Sequence, residues 1–158
     1  MHIGVPREIK PLEGRVGLIP AACSGLVSAG HAVYIESGAG AQSGYPDEAY
    51  RAAGAQIAAN AAELYEQSEL IVKVKEPLEG DLHYLRSDHI LFSYLHLAAN
   101  AALTRSLCTI GLTALAFETV QLASGELPLL APMSDIAGRL SVHLGANLLH
   151  QPQGGKGL

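Results

Sequence analysis

The sequence has little of what marks disulfide-rich, metal-binding, nucleic-acid-binding or membrane proteins. Two cysteines occur, Cys23 and Cys108, with no Cys-x-x-Cys pair. That excludes a disulfide framework and a zinc-finger spacing, and leaves two reduced, mostly buried thiols as the expectation. The seven histidines form no His-Glu-x-x-His motif. His143 and His150 share a helical face, but two imidazoles without a carboxylate or thiolate make a poor site, so no metal is expected. Basic charge is also scarce: ten Lys and Arg stand against 15 Asp and Glu, for a formal net charge of -5. With no run of like charges, the chain has no cationic face to displace counterions from a nucleic acid. No apolar stretch approaches the roughly 20 residues of a membrane-spanning helix. The opening MHIGVPREIKPLEGR lacks the apolar core of a signal peptide. A soluble cytoplasmic protein is expected, with neither nucleic acid nor membrane as a partner.

What the sequence does have is 158 residues, 49% of them hydrophobic. That suits one compact domain with a buried core, and is too short for a substrate domain plus a complete dinucleotide domain. Short β-branched runs alternate with Ala- and Leu-rich stretches. Strands are predicted at Ile3–Val5, Ala32–Glu36, Leu70–Lys75, Ile90–Tyr94 and Thr113–Phe117, with a minor one at Ala55–Ala58. Helices are predicted at Ala21–Ala29, Asp47–Ala53, Ala61–Gln67 and Ala101–Thr109, with Gly30, Gly54 and Gly111 as stops. This alternation implies βαβ crossovers: an α/β, doubly wound, mainly parallel sheet with helices on both faces, Rossmann-like, over residues 1–130. Residues 131–158 differ. Ser134 reads as a helix N-cap, and Ile136, Leu140, Leu144 and Leu148 follow as an apolar stripe of a C-terminal connecting helix. Gly138 and Gly145 share a face that suits close packing, and GGKG reads as the start of a linker. The strand order is not readable.

In open parallel sheets ligands bind beyond the carboxyl ends of the strands. After the first strand come Arg7, Lys10, Glu13 and Arg15; the others end at Lys75, at Tyr94 followed by His96, and at Phe117 followed by Glu118. A guanidinium, an ammonium, a phenol, an imidazole and a carboxylate are thus expected on one rim. Each has a plainer explanation: Lys75 a solvated strand end, His96 a hydrogen-bonded core residue, Arg15 a solvated loop cation. Lys73, one step deeper on the face of Lys75, is expected to snorkel or to pair with a carboxylate. Together, Arg15 and Lys75 suit a carboxylate clamp, and His96 a proton carrier near neutral pH. A small 2-oxo or 2-amino acid fits such a site.

Two glycine-rich segments are not nucleotide motifs. In GAGAQSG the residue three after Gly40 is Ser43, so the spacing is not G-x-G-x-x-G, and a loop needing positive φ explains it better. A Walker spacing around GGKG would need glycine where His150 stands and Ser or Thr where Gly157 stands.

The blocks IGVPREIKPLEGRVGLIP, GHAVYIESGAG, LIVKVKEPL, ILFSYLHLA, ALAFETVQ, LPLLAPMSDIAGRLSV and QPQGGKG occur in that order. They resemble the alanine dehydrogenase family, within the alanine dehydrogenase and pyridine-nucleotide transhydrogenase superfamily, over essentially the whole chain. The resemblance implies NAD-dependent, reversible oxidative deamination of L-alanine to pyruvate and ammonium. It implies that Arg15 binds the substrate carboxylate and that Lys75 holds the substrate and polarises its carbonyl or imine. His96 would be the catalytic acid/base, Tyr94 a pocket wall, and Met133 and Ser134 neighbours of the nicotinamide cofactor. It further implies a homo-oligomer, commonly a hexamer. Family members continue past the GGKG segment into an NAD-binding domain that also supplies a further acid, so the 158-residue chain alone is expected to be inactive. GRVGLIP departs mildly from the family's usual form. Two alternatives stay open: a nucleotide-binding component of a transhydrogenase, whose α-subunit typically lacks the KVKEP and YLHLA forms, and a truncated, non-catalytic fragment.

Overall fold

The computed structural model describes residues 1–157. The chain groups into two compact units, Met1–Phe117 and Glu118–Leu158.

The first unit is built on strands β1 (His2–Val5), β2 (Ala32–Glu36), β3 (Gln56–Ala58), β4 (Leu70–Val72), β5 (Ile90–Ser93) and β6 (Thr113–Ala116). Every pairing is parallel and the spatial order is β3-β2-β1-β4-β5-β6. The expected doubly wound α/β fold is therefore present, with an all-parallel sheet. Aliphatic residues on both sides of the strands explain why neither face is left to solvent. Ile3, Val5, Val33, Ile35 and Val72 enter one core with Cys23 and Tyr50, from α1 (Pro20–Ser28) and α2 (Asp47–Ala52). Ile71 and Leu91 enter the other with Leu64, Leu103 and Leu107, from α3 (Ala61–Gln67) and α5 (Ala101–Ile110). A short α4 (Glu79–Leu82), not among the predicted helices, adds Leu82 to that second core. The helices begin and end where local chemistry dictates. The side chains of Asn60 and Asn100 accept from the Glu63 and Leu103 N–H groups, satisfying donors that the first turn leaves open. Gly111, at φ 80°, closes α5.

The second unit contains α6 (Ala131–Leu149). Its start corrects the assignment of Ser134 as N-cap: Leu130 is the cap, and the Ser134 N–H already donates to the Leu130 carbonyl. Pro132 explains the shift, because proline is at home in a first turn that needs no donor from it. Ile136, Leu140, Leu144 and Leu148 are exposed, and the positions a Cβ would take at Gly138 and Gly145 are open. The thiols also differ from expectation: Cys23 is buried but Cys108 is exposed.

Candidate functional site

The strand order fixes where a ligand crevice forms. The chain winds outward from β1 to β2 and β3, then returns to β4 and continues through β5 and β6. Adjacent strands β1 and β4 thus send their following segments to opposite faces, which opens a crevice beyond their carboxyl ends. Pro6, Arg7 and Glu8 leave β1 there, and Lys73, Val74 and Lys75 leave β4. The strand expected to run to Lys75 ends at Val72, yet the ladder persists: Lys73 N–H donates to Phe92 O at 3.1 Å and Tyr94 N–H to Val74 O at 3.2 Å.

Below the crevice is a buried charge cluster. Lys73, with a side chain 1% exposed, lies 3.4 Å from Glu8 Oε2 and 3.3 Å from Asp81 Oδ1. Asp81 also accepts from the Tyr65 hydroxyl at 3.1 Å and from the Leu78 N–H at 2.9 Å. Burial, with the Asp81 charge beside it, pushes the Tyr65 phenol far above its ordinary pKa. Glu8 Oε1 accepts from the main-chain N–H groups of Val74 at 2.6 Å and Lys75 at 3.3 Å. Lys73 therefore pairs with carboxylates, as its place on the strand suggested.

The loop after β1 forms one wall. Lys10 O accepts from Glu13 N–H at 3.1 Å, closing a turn in which Leu12 takes φ 66°. Gly17 lets this loop lie against β4, since a Cβ there would sit 2.8 Å from Val72 O. The Ser43 hydroxyl donates to Gly14 O from the other side at 2.8 Å. Between these supports, Arg15 is exposed and grips Glu13 bidentately: Nε to Oε1 at 2.8 Å and Nη2 to Oε2 at 2.6 Å. The hydrogen bond from Arg15 holds the Glu13 carboxyl down at about 2, against its burial, and nearby Lys75 adds to the effect. The same bond raises Arg15, which also feels the charges of Tyr94 and Glu8. Glu76 pairs with Lys10; burial pushes its carboxyl up, but the Lys10 hydrogen bond, a backbone hydrogen bond and the charges of Lys10 and Lys75 together outweigh that and leave it lowered. Lys75 is half-buried and makes no ion pair among the described residues.

The segment after β5 forms the opposite wall. The rings of Tyr94 and His96 stack with centroids 6.2 Å apart, and Phe117 meets Tyr94 edge-on at 5.1 Å. His96 is exposed, not a core histidine, and holds a left-handed backbone at φ 49°. Such strain in a non-glycine residue costs about 1–2 kcal/mol and collects at functional positions. Arg15 follows β1, Lys75 follows β4, and Tyr94 and His96 follow β5, all beyond the carboxyl ends of adjacent strands, and of the four the Tyr94 and His96 rings meet directly. Met133, half-buried, and Ser134, exposed, lie on α6 in the second unit.

The glycine-rich loop after β2 and the first turn of α6 do not fit the pyrophosphate of a dinucleotide. In the loop after β2, Gly38 and Gly44 take positive φ as expected. Its donors are spent on a carboxylate: Asp47 accepts from Gly38 N–H and the Ser37 hydroxyl, each at 2.8 Å. A phosphate there would face that negative charge. Glu36 likewise takes the Arg7 N–H after β1, and in the first turn of α6 the Ala131, Met133 and Ser134 N–H groups are all bonded to carbonyls. The Ser134 N–H is thus already bonded, and its hydroxyl is the group it could present to a cofactor. No cluster of three or more metal-ligating side chains occurs among the described residues.

Sequence reasoning missed Glu8 and Asp81, and saw Glu13 only as a rim charge. Lys73 was the available signal, because a lysine on a buried strand face demands an anion. Which carboxylate answers it depends on strand order, which the sequence withheld.

Comparisons with known proteins show what the chain resembles. Residues 4–137 match the family model described as the alanine dehydrogenase/PNT N-terminal domain. Alanine dehydrogenase of Methanococcus maripaludis is 52% identical over 158 residues, covering 100% of this chain and 42% of the relative. That of Bacillus subtilis is 49% identical, covering 100% and 41%. A solved L-alanine dehydrogenase superposes with a TM-score of 0.93 at 52% identity, over 100% of this chain and 44% of the other. A transhydrogenase from Sinorhizobium meliloti reaches 0.71 at 30% identity, over 75% of this chain and 35% of the other. The chain spans about two fifths of the length of these alanine dehydrogenases, 42% in the first case.

Proposed function

On the premise that the chain belongs to the alanine dehydrogenase/PNT N-terminal domain family, we propose that it supplies the substrate side of an NAD-dependent alanine dehydrogenase. Its crevice would hold L-alanine or pyruvate by the carboxylate. Lys75 carries this assignment. It is half-buried at the switch point and makes no ion pair among the described residues, whereas its neighbour Lys73 is held by two carboxylates. A cation kept in that state suits an anionic or carbonyl-bearing ligand.

Arg15, gripped by Glu13 at Nε and Nη2, would exchange part of that grip for the substrate carboxylate, which its planar fork equally suits. Lys75 stabilises charge at the 2-position oxygen or nitrogen. His96, on the facing wall, takes and returns protons as water adds to the imine and ammonia leaves. Tyr94 walls the pocket, and Met133 and the Ser134 hydroxyl are proposed to touch the cofactor. NAD would accept the hydride. The glycine-rich loop after β2 and the first turn of α6 offer the phosphates of that cofactor no open donors, and the substrate acid is what this chain is proposed to hold. A homo-oligomer, a hexamer by its family, belongs to the same proposal, as does a residence in the cytoplasm.

The test is alanine-dependent reduction of NAD by the complete gene product, run beside hydride exchange between two pyridine nucleotides. Alanine-dependent reduction that Lys75→Ala abolishes supports the proposal. Nucleotide exchange without alanine turnover would assign the chain to a transhydrogenase, and neither activity would make it a binding or non-catalytic fragment.

A further inference from the structure

Lys75 has a long, rotatable side chain, and no carboxylate among the described residues anchors its tip. Left to itself, such a side chain samples many rotamers, and ordering it on a ligand costs entropy. Its placement must then be set at its base. Of the buried cluster, Glu8 is the member that reaches that base: Oε1 accepts the N–H groups of both Val74 and Lys75. Hydrogen bonds to an ionised acceptor are the stronger kind. The other carboxylate oxygen lies against Lys73, which Asp81 holds in turn, so Glu8 cannot swing away without costing a buried ammonium one of its two carboxylate partners. These bonds also cross the switch point, tying the segment after β1 to the segment after β4.

We infer that Glu8 is a positioning residue: it pins the main chain at Val74 and Lys75 and so sets how the Lys75 ammonium is presented to the crevice. Its consequence for substrate rests on the proposal that Lys75 holds the substrate; the pinning itself does not.

Two variants separate pinning from charge. Glu8→Gln keeps the reach and an acceptor oxygen but loses the charge. Glu8→Asp keeps the charge but falls one methylene short of the two N–H groups. Lysine positioning is read by NMR of reductively 13C-methylated protein, in which the four lysines, Lys10, Lys73, Lys75 and Lys156, are few enough to assign by substitution. In Glu8→Asp the Lys75 signal should move toward that of exposed Lys156. The pyruvate KM of the complete gene product should rise about tenfold or more, the scale of a lost charge-assisted hydrogen bond, while the NADH KM stays put. Glu8→Gln should keep the Lys75 signal near its native place and the pyruvate KM within about threefold, since an amide oxygen still accepts both bonds. An unmoved Lys75 signal in Glu8→Asp overturns the inference, as does Glu8→Gln disturbing that signal as much as Glu8→Asp. Should Glu8→Asp not fold, the double variant Glu8→Ala/Lys73→Met removes the pin together with its buried countercharge, and the same readouts decide. Lys75→Ala with an unchanged pyruvate KM would defeat the substrate proposal instead, leaving the NMR result to judge Glu8.

Discussion

Replacing Lys73 with methionine gives a sharp test of the buried cluster. The substitution nearly conserves volume and removes one charge, so packing changes little and electrostatics changes a great deal. What remains is two carboxylates with side chains 3% and 5% exposed, Glu8 and Asp81, facing the space the ammonium held. Breaking a buried pair by removing one partner costs about 3–5 kcal/mol. Here the lower end applies, because both anions keep other donors: Glu8 the Val74 and Lys75 N–H groups, Asp81 the Tyr65 hydroxyl and the Leu78 N–H. For a chain of this length each kcal/mol moves the melting temperature about 2–4 °C, so a loss of about 3 kcal/mol lowers Tm by about 6–12 °C. The assay is thermal unfolding followed by circular dichroism at neutral pH, with urea unfolding as a check. Lys73→Met/Asp81→Asn should recover part of the loss, since one of the two stranded anions is then gone. A drop below about 2 °C would show that the carboxylates do not depend on Lys73 and would refute the electrostatic account of the cluster.

Four further outcomes follow from the geometry. His96→Ala in the complete gene product should cut kcat about 100-fold, the scale of general acid–base catalysis; near-normal turnover removes His96 from the chemistry. Glu13, held at about 2 in the folded chain against an ordinary 4.5, adds stability that is complete above pH 4.5 and fades as pH falls toward 2. Glu13→Gln should flatten that limb of a Tm-against-pH curve, modestly because Arg15 is half solvated; an unchanged limb refutes the pair's contribution. One thiol per native chain should react with a disulfide reagent at pH 8. That thiol is Cys108, because burial lifts Cys23 to about 11, and two fast-reacting thiols would contradict this. Gly40→Ala should destabilise by about 1–3 kcal/mol, as overpacking does, because its Cβ would sit 2.6 Å from the Tyr50 ring and 2.7 Å from Tyr45 O; denaturant midpoints give the answer.

Much of the fold was legible because it rests on local signals. The aliphatic runs at Ile3–Val5 and Ala32–Glu36 and the glycine stops act within a few residues, and each falls within a residue or two of its structural position. Strand order was not legible, since it follows from which crossover packs where, and that is decided by side chains far apart in the chain. The site divides the same way. Arg15, Lys75, Tyr94 and His96 stand after strand runs, so their position beyond the carboxyl ends of adjacent strands could be inferred. Glu8, Asp81 and the grip of Arg15 on Glu13 depend on side-chain geometry that spacing does not encode. Ser134 misled because a serine before an apolar stripe looks like a cap, while Pro132 had already started the helix.

The left-handed backbone at His96 bears on how any variant there is to be interpreted. At φ 49° a β-branched residue or proline would force the chain into another conformation, displacing Leu95 and Leu97 as well as deleting the imidazole. Shape and chemistry are confounded at this one position. Asparagine, which tolerates that conformation, disentangles them: a His96→Asn protein that binds but does not turn over isolates the missing proton carrier, whereas valine or proline would report only a bent loop.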